Sequence, residues 1–517
     1  MQILRLRPDS KFSIRSWIIH ECYSAPPSGD TPSTTFTVYG LPQNCENVEN
    51  LFVLKLAMSR RPQRLKAIIP SPKAFCDTAS SSANKSRLTI RLRAFVLISI
   101  FVFGPASPCD AYSVLSHEAV VDAAWDDAIK PLLLKRFPNS TPEELKEAHS
   151  YAYGGSVIQD LGYYPFGSHL FSDLVHYVRT GDFVEALLRD STTLDEYAFA
   201  LGALAHYAAD NYGHSIATNH AVPMLYPKLK AKFGDDVAYD QAPVEHLKTE
   251  FGFDVVQVAK NRYASDAYRD FIGFQVSENL LVRAFRETYC LDMKSIFTNY
   301  DLALGTYRRA VSEVIPKMTE AAWDAKKNDI QRDIPGVTKQ KFLYHLSRAS
   351  YEKNWKEKYQ RPSFGARLIA FFFRLVPKIG PFRTLSFKVP TPEVEKLFMA
   401  SFNGSVTDYE KLLHEQREPV TATLVNDNFD TGTVTNPGEY PLADKTYADL
   451  LDRQAKDHFA ATSPELRETI LKFYSDTNAP IITKKDPAKW AKVLQQVDEL
   501  KTANPAKRSA ASVTPNQ

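Results

Sequence analysis

Two short helical signatures limit what this chain can fold into. The first is His206-Tyr-Ala-Ala-Asp210-Asn-Tyr-Gly-His214, set in the small apolar run that begins at Leu201; the second is His246-Leu-Lys-Thr-Glu250. A helix advances about 100° per residue, so positions i, i+4 and i+8 stay within about 80° of one another. His206, Asp210 and His214 are therefore expected on one helical face, and His246 and Glu250 on another. A lone histidine on an apolar face is usually a core residue bonded to a carbonyl. An aspartate amid so much alanine and leucine is a different matter: it must be buried, and a buried charge needs a partner. The nearby candidates are histidines and metal ions. Five ligand-type side chains on two helix faces fit a multinuclear zinc site inside an all-α bundle.

Further candidates lie upstream. Asp160 sits beside a Gly-Tyr-Tyr-Pro turn, where it reads either as a turn residue or as a ligand walled by Tyr163, Tyr164 and Phe166. Gly154 and Gly155 are expected to break the helix before it. His169 and His176 are seven apart and share a helix face, so one of them is a candidate ligand. His117 follows Ser116, a good N-cap residue. Eight of the twelve histidines fall between His117 and His246, which favours a shared site over unrelated core positions.

The 517 residues allow more than one domain, and the net charge of +3 argues against a general nucleic-acid binder. Residues 1–87 have scattered Ser, Thr, Pro and Asn without sustained periodicity, and read as disordered or as a mis-annotated leader. Residues 88–111 combine a basic start, the apolar run Ala94–Phe103 and a small-residue end. These are the parts of a secretory signal peptide; an uncleaved anchor is the alternative, although the run is short for a membrane span. Cleavage after Ala111 makes Tyr112 the mature terminus, whose amine and carbonyl could chelate the same metal as His117. Four of the five cysteines precede residue 110, leaving Cys290 alone afterwards. Stability must then come from packing and metal rather than disulfides.

A helical domain is expected over 112–330 and a helical extension over 331–503, with a disordered tail at 504–517. Within the extension, Arg367-Leu-Ile-Ala-Phe-Phe-Phe-Arg-Leu-Val376 is flanked by cations from Lys353 to Lys388. It suits a membrane interface or, equally, a buried helix with snorkelling cations. Residues 418–446 read as a long loop, with helices resuming over 447–473 and 487–500.

The ordered set His117, Asp160, His176, His206-x3-Asp210, His214 and His246-x3-Glu250 resembles the zinc-dependent phospholipase C family and the related single-strand-specific zinc nucleases. The resemblance covers about 112–255. It implies a mostly helical fold with three zinc ions and the mature N-terminal residue as a ligand. By position, Asp160, His176, His206 and Asp210 are expected to hold one zinc, and His214, His246 and Glu250 a second. Tyr112 and His117 are expected at the third, with Asp210 bridging. The family's terminal residue is usually Trp, and its histidine after the bridging aspartate usually follows at longer spacing; His220 is therefore an alternative to His214, and His169 to His176. The implied activity is phospholipid hydrolysis to diacylglycerol and a phosphorylated headgroup, with Asp160 orienting the attacking water or taking its proton. The alternatives are a single-strand-specific nuclease, with Tyr163 or Phe166 stacking on bases, and a non-catalytic zinc-stabilised protein that binds membranes.

Overall fold

A computed structural model describes residues 17–22, 35–40, 54–57, 113–259, 274–310, 328, 331–332, 386–416 and 423–503. Residues 1–93 and 94–517 form separate units. In the first unit, β1 (Trp17–Cys22), β2 (Thr35–Gly40) and β3 (Leu54–Ala57) make a three-stranded antiparallel sheet. Trp17↔Gly40 and Thr35↔Ala57 are its end pairs. The polar composition of residues 1–87 had not pointed to strands; the β-branched and aromatic runs Trp17-Ile-Ile and Thr35-Phe-Thr-Val-Tyr supply the propensity.

The second unit is helical. It runs through α1 (Val114–Ala124), α2 (Lys130–Arg136), α3 (Pro142–Ser156), α4 (His169–Tyr177), α5 (Thr180–Asp190) and α6 (Leu194–Tyr212). Next come α7 (Asn219–Leu225), α8 (Pro227–Phe233), α9 (Pro243–Ala259), α10 (Glu278–Tyr289), α11 (Met293–Ile296) and α12 (Tyr300–Arg309). After residue 386 follow α13 (Pro392–Glu415), the short hairpin β4 (Asp427–Asn428) and β5 (Thr433–Val434), α14 (Pro441–Gln454), α15 (Pro464–Phe473) and α16 (Pro487–Thr502). The residues read as a loop over 418–446 thus include the hairpin and the start of α14. The helices read over 447–473 are α14 and α15, parted where His458 and Phe459 take φ of 55° and 62°. No helix among the described residues is long and apolar enough to cross a membrane.

Helix α6 is the axis of this unit. Every residue from Tyr197 to Asp210 is buried, as expected of a helix that is apolar all round and surrounded by others. Thr193 starts it, accepting from the Glu196 amide at 3.2 Å. Helix α3 starts with a capping box between Thr141 and Glu144 and Pro142 in its first turn. The expectation that Gly154-Gly155 breaks this helix is corrected: α3 continues to Ser156, and the glycines serve close packing instead. A Cβ on Gly155 would lie 2.0 Å from the Phe199 carbonyl oxygen, and one on Gly202 would lie 2.0 Å from that of Ala152. The two backbones therefore meet without side chains between them, which sets Ser156 beside His206. Gly155→Ala should force α3 and α6 apart and cost about 2–4 kcal/mol, read as a fall in the midpoint of denaturant unfolding.

The residues after 386 complete the same hydrophobic core. Helix α13 lies against α6 and α9: Tyr409 donates to the Leu201 carbonyl at 2.8 Å, and Phe398 stacks on Phe253 at 4.7 Å. Most of the basic Phe-rich segment falls outside the described residues. Lys388, one of its flanking cations, is exposed; it donates to the Leu225 carbonyl and lies 4.8 Å from the Tyr226 ring centre.

Candidate metal centre

Eight side chains from six neighbouring segments meet in the interior, each at most 1% exposed. They are His117 from α1, Asp160 from the 3-10 turn Ile158–Tyr163, His176 from α4, and His206 and Asp210 from α6. His214 comes from the π-turn Gly213–Thr218, and His246 and Glu250 come from α9.

The first five form one cluster. Asp210 is its hub, with Oδ2 3.1 Å from His206 Nε2 and 3.4 Å from His176 Nε2, and Oδ1 3.5 Å from His117 Nε2. Asp160 Oδ1 lies 3.4 Å from His176 Nε2. The His117 and His206 rings stack 4.4 Å apart at 11°. Two backbone carbonyls fix the tautomers. His206 Nδ1 donates to Ser156 O at 2.9 Å, and His176 Nδ1 donates to Ser172 O at 2.8 Å. A carbonyl can only accept, so both Nδ1 atoms carry hydrogen and both Nε2 atoms turn inward. Those Nε2 atoms are 3.4 Å apart. Two facing imidazole nitrogens and two buried carboxylates are stable together only with positive charge among them.

The acid–base balance agrees. Burial alone would lower His176, but Asp160 and Asp210 raise it to about 10. Burial would raise Asp210, but His206 and His176 hold it well below the usual carboxylate range. Burial and the neighbouring His206 bring His117 down to about 4.

His214, His246 and Glu250 form the second cluster, with one ligand atom of each within 4.8 Å of the others. The sequence had placed His214 on the face of His206 and Asp210. In the structure α6 ends at Tyr212, and the wider π-turn carries His214 round to the α9 side. His246 Nε2 donates to Val237 O at 2.6 Å, which leaves Nδ1 3.8 Å from Glu250 Oε1. Both Glu250 oxygens, His246 Nδ1 and His214 Nδ1 have no hydrogen-bond partner among the described residues. Burial and His214 lower His246 to about 3, while burial and the surrounding carboxylates, Asp210 first, push Glu250 well up. Orphaned buried nitrogen and carboxylate atoms at this spacing fit a divalent cation, and the N/O donor set is one that zinc accepts.

The alternatives lie elsewhere. His169 is exposed, and His220 is bonded through Nδ1 to Asp235 O at 3.1 Å. His149 stacks on Trp125 at 3.6 Å. Tyr112 lies outside the described residues. Ser116, read as the cap of the His117 helix, sits inside it. The cap is Ser113, and Asp254 of α9 accepts from Leu115 N at 3.1 Å and Ser116 Oγ at 2.7 Å. That carboxylate holds the N-terminus of α1 in place, with His117 in its first turn.

Sequence reasoning missed Asp430. It follows β4, is fully buried, and brings Oδ1 to 3.2 Å from His214 Nε2. The run Asn426-Asp-Asn-Phe-Asp430 looked like loop chemistry, and a lone Phe among Asx residues was the only local sign of burial. That Phe429 is buried too, its ring 5.3 Å from His176 and 6.0 Å from His206.

Asp173, one turn before His176, is half-buried, and burial pushes its carboxyl up to about 7. Its unfolded value is about 3.9. A raised acid favours the folded state below its unfolded value, and that contribution is lost as pH rises through 7. Asp173→Asn should therefore gain on the parent between pH 4 and 8, by roughly 1–2 kcal/mol after solvent screening. Thermal midpoints measured across that range check this.

The all-α bundle thus holds two contiguous groups of buried His, Asp and Glu that could hold metal ions. Residues 116–299 match the family model described as zinc dependent phospholipase C, so the chain carries a domain of that family. All eight residues lie inside the match; Asp430 lies beyond it. No curated protein and no solved structure matches the chain.

Proposed function

We propose that the protein is a zinc-dependent phosphodiester hydrolase that cleaves phospholipid to diacylglycerol and a phosphorylated headgroup. The observation that carries this reading is the pair of inward-facing Nε2 atoms 3.4 Å apart, framed by Asp160 and Asp210. His206, His176, Asp210 and Asp160 would hold one ion, and His214, His246 and Glu250 a second. His117, beside Asp210, would serve a third together with the terminus at Tyr112. Zinc held there supplies Lewis acidity toward a phosphoryl group and makes water a nucleophile near neutral pH.

The chain's own groups do the rest. The Ser156, Ser172 and Val237 carbonyls fix ring orientation, as outer partners of metal-binding histidines commonly do. Asp160, with Oδ1 3.4 Å from His176 Nε2, would orient the attacking water or take its proton. A phospholipid surface is the partner in this reading, and residues 88–111 provide export.

The test is release of phosphocholine from phosphatidylcholine vesicles by the zinc-loaded protein. Turnover should vanish with chelator and in His206→Ala. Hydrolysis of no phospholipid, despite three bound ions, would overturn it.

The complete burial of the eight side chains favours a second reading, a zinc-stabilised protein without turnover. It predicts tight zinc binding and loss of the fold on chelation, with neither phospholipid nor single-stranded nucleic acid cleaved.

A further inference from the structure

We propose that Ser172 is a positioning residue for the first metal cluster. It clamps the turn that carries Asp160 to the helix that carries His176, and so sets the spacing of those two groups. The inference rests on the zinc reading of that cluster.

Three hydrogen bonds converge on this one residue. Its carbonyl accepts from His176 Nδ1 at 2.8 Å. Its side chain is fully buried and faces the Ile158–Tyr163 turn, where Oγ donates to Gln159 O at 2.5 Å and accepts from Gly162 N at 2.9 Å. Chemistry fixes these roles. A carbonyl can only accept and an amide N–H can only donate, so the single hydroxyl hydrogen goes to Gln159 and a lone pair takes Gly162. Gln159 precedes Asp160 and Gly162 follows it. The hydroxyl therefore grips the turn on both sides of the carboxylate.

Glycine makes the approach possible: a Cβ on Gly162 would lie 2.1 Å from the Ser168 carbonyl oxygen and 2.6 Å from Ser172 Oγ. The turn has a second tether, since Gln159 Nε2 donates to Ala203 O of α6 at 3.0 Å. The Asp160 turn is thus strapped to the helix of His176 by Ser172, and to the helix of His206 and Asp210 by Gln159. Asp160 Oδ1 lies 3.4 Å from His176 Nε2 at the end of this arrangement. Without the hydroxyl, the Gln159 carbonyl and the Gly162 amide lose a buried partner. A buried polar group seeks another partner by moving, and a shift of the turn carries Asp160 with it.

The experiment compares zinc affinity in two serine variants. Full-length parent, Ser172→Ala and Ser405→Ala are titrated with zinc against a competing chelator, with total zinc per chain measured alongside. Ser405→Ala is the control, because it removes a buried hydroxyl that bonds within α13, to Ser401 O at 2.9 Å. Ser172→Ala should weaken one class of site about 10–100-fold and leave the rest tight. Ser405→Ala should stay within a few-fold of the parent. Cobalt-substituted Ser172→Ala should also show an altered visible spectrum, a change that a loss of stability without a change in ligation does not produce. Zinc affinities and a cobalt spectrum equal to the parent's in Ser172→Ala overturn the proposal, and so does an equal change in Ser405→Ala. Should Ser172→Ala fail to fold, amide hydrogen exchange in the zinc-loaded parent decides. A Gly162 amide that exchanges as slowly as those of α6 supports the clamp, and one that exchanges freely overturns it. A parent that binds no zinc sinks the metal reading itself, an outcome separable from parent-like binding by the variant.

Discussion

Asp210→Asn should lose zinc from the first cluster and keep it in the second, with hydrolytic turnover falling on the order of 10³-fold. The reason lies in the hub geometry. Asp210 meets three imidazoles through its two oxygens, at 3.1, 3.4 and 3.5 Å. An amide keeps the shape and discards the charge. Its NH2 group would also face nitrogen atoms that already need a cation. The second cluster shares none of these contacts, so His214, His246 and Glu250 should still bind. Glu250→Gln is the mirror experiment, emptying the second cluster and sparing the first. Zinc analysis of the two variants, with circular dichroism to verify the fold, gives the answer. Equal zinc in Asp210→Asn and parent would mean that the hub carboxylate is not a ligand.

Exhaustive chelation should lower the thermal midpoint by roughly 10 °C or more, since binding energy at buried sites is also folding energy. Without cations, the interior must accommodate Asp160, Asp210, Glu250 and Asp430 together, all at most 1% exposed. Part of the cost is relieved by protonation: His176 is held charged, and Glu250 is pushed toward its neutral form. Reloading with zinc should therefore expel protons near pH 7, from His176 and Glu250 first. Calorimetry in buffers of different ionisation enthalpy measures that release directly. A midpoint unmoved by chelation, in protein shown to have lost its zinc, would rule out a stabilising role.

Much of the centre could be read from residue order. The His-x3-Asp and His-x3-Glu pairs state their own geometry, because i and i+4 on a helix need no tertiary information. The apolar setting of Asp210 announced its burial. What sequence could not show depends on contacts between distant segments. The π-turn at Gly213–Thr218 shifts His214 by a backbone irregularity that no side-chain pattern encodes. Gly154-Gly155 looked like a stop because glycine usually is one within a helix, whereas here it is the space that another helix needs. Asp430 was hidden for a third reason: apart from the neighbouring Asn428, its partners are His214, Tyr177, Tyr440 and Asn219, from separate parts of the chain, and nothing next to it hints at them.

The hairpin has a practical side. A chain cut after residue 310 would keep every side chain named from the signature pairs and the whole matched region. It would lose Phe429, packed beside His176 and His206, and Asp430 behind His214. It would also lose α13, whose Tyr409 and Phe398 cover Leu201 and Phe253. The boundary of recognisable ancestry and the boundary of the working fold are therefore different places along this polypeptide, and a recombinant fragment designed on the former would have an open, greasy flank where its metals should be shielded.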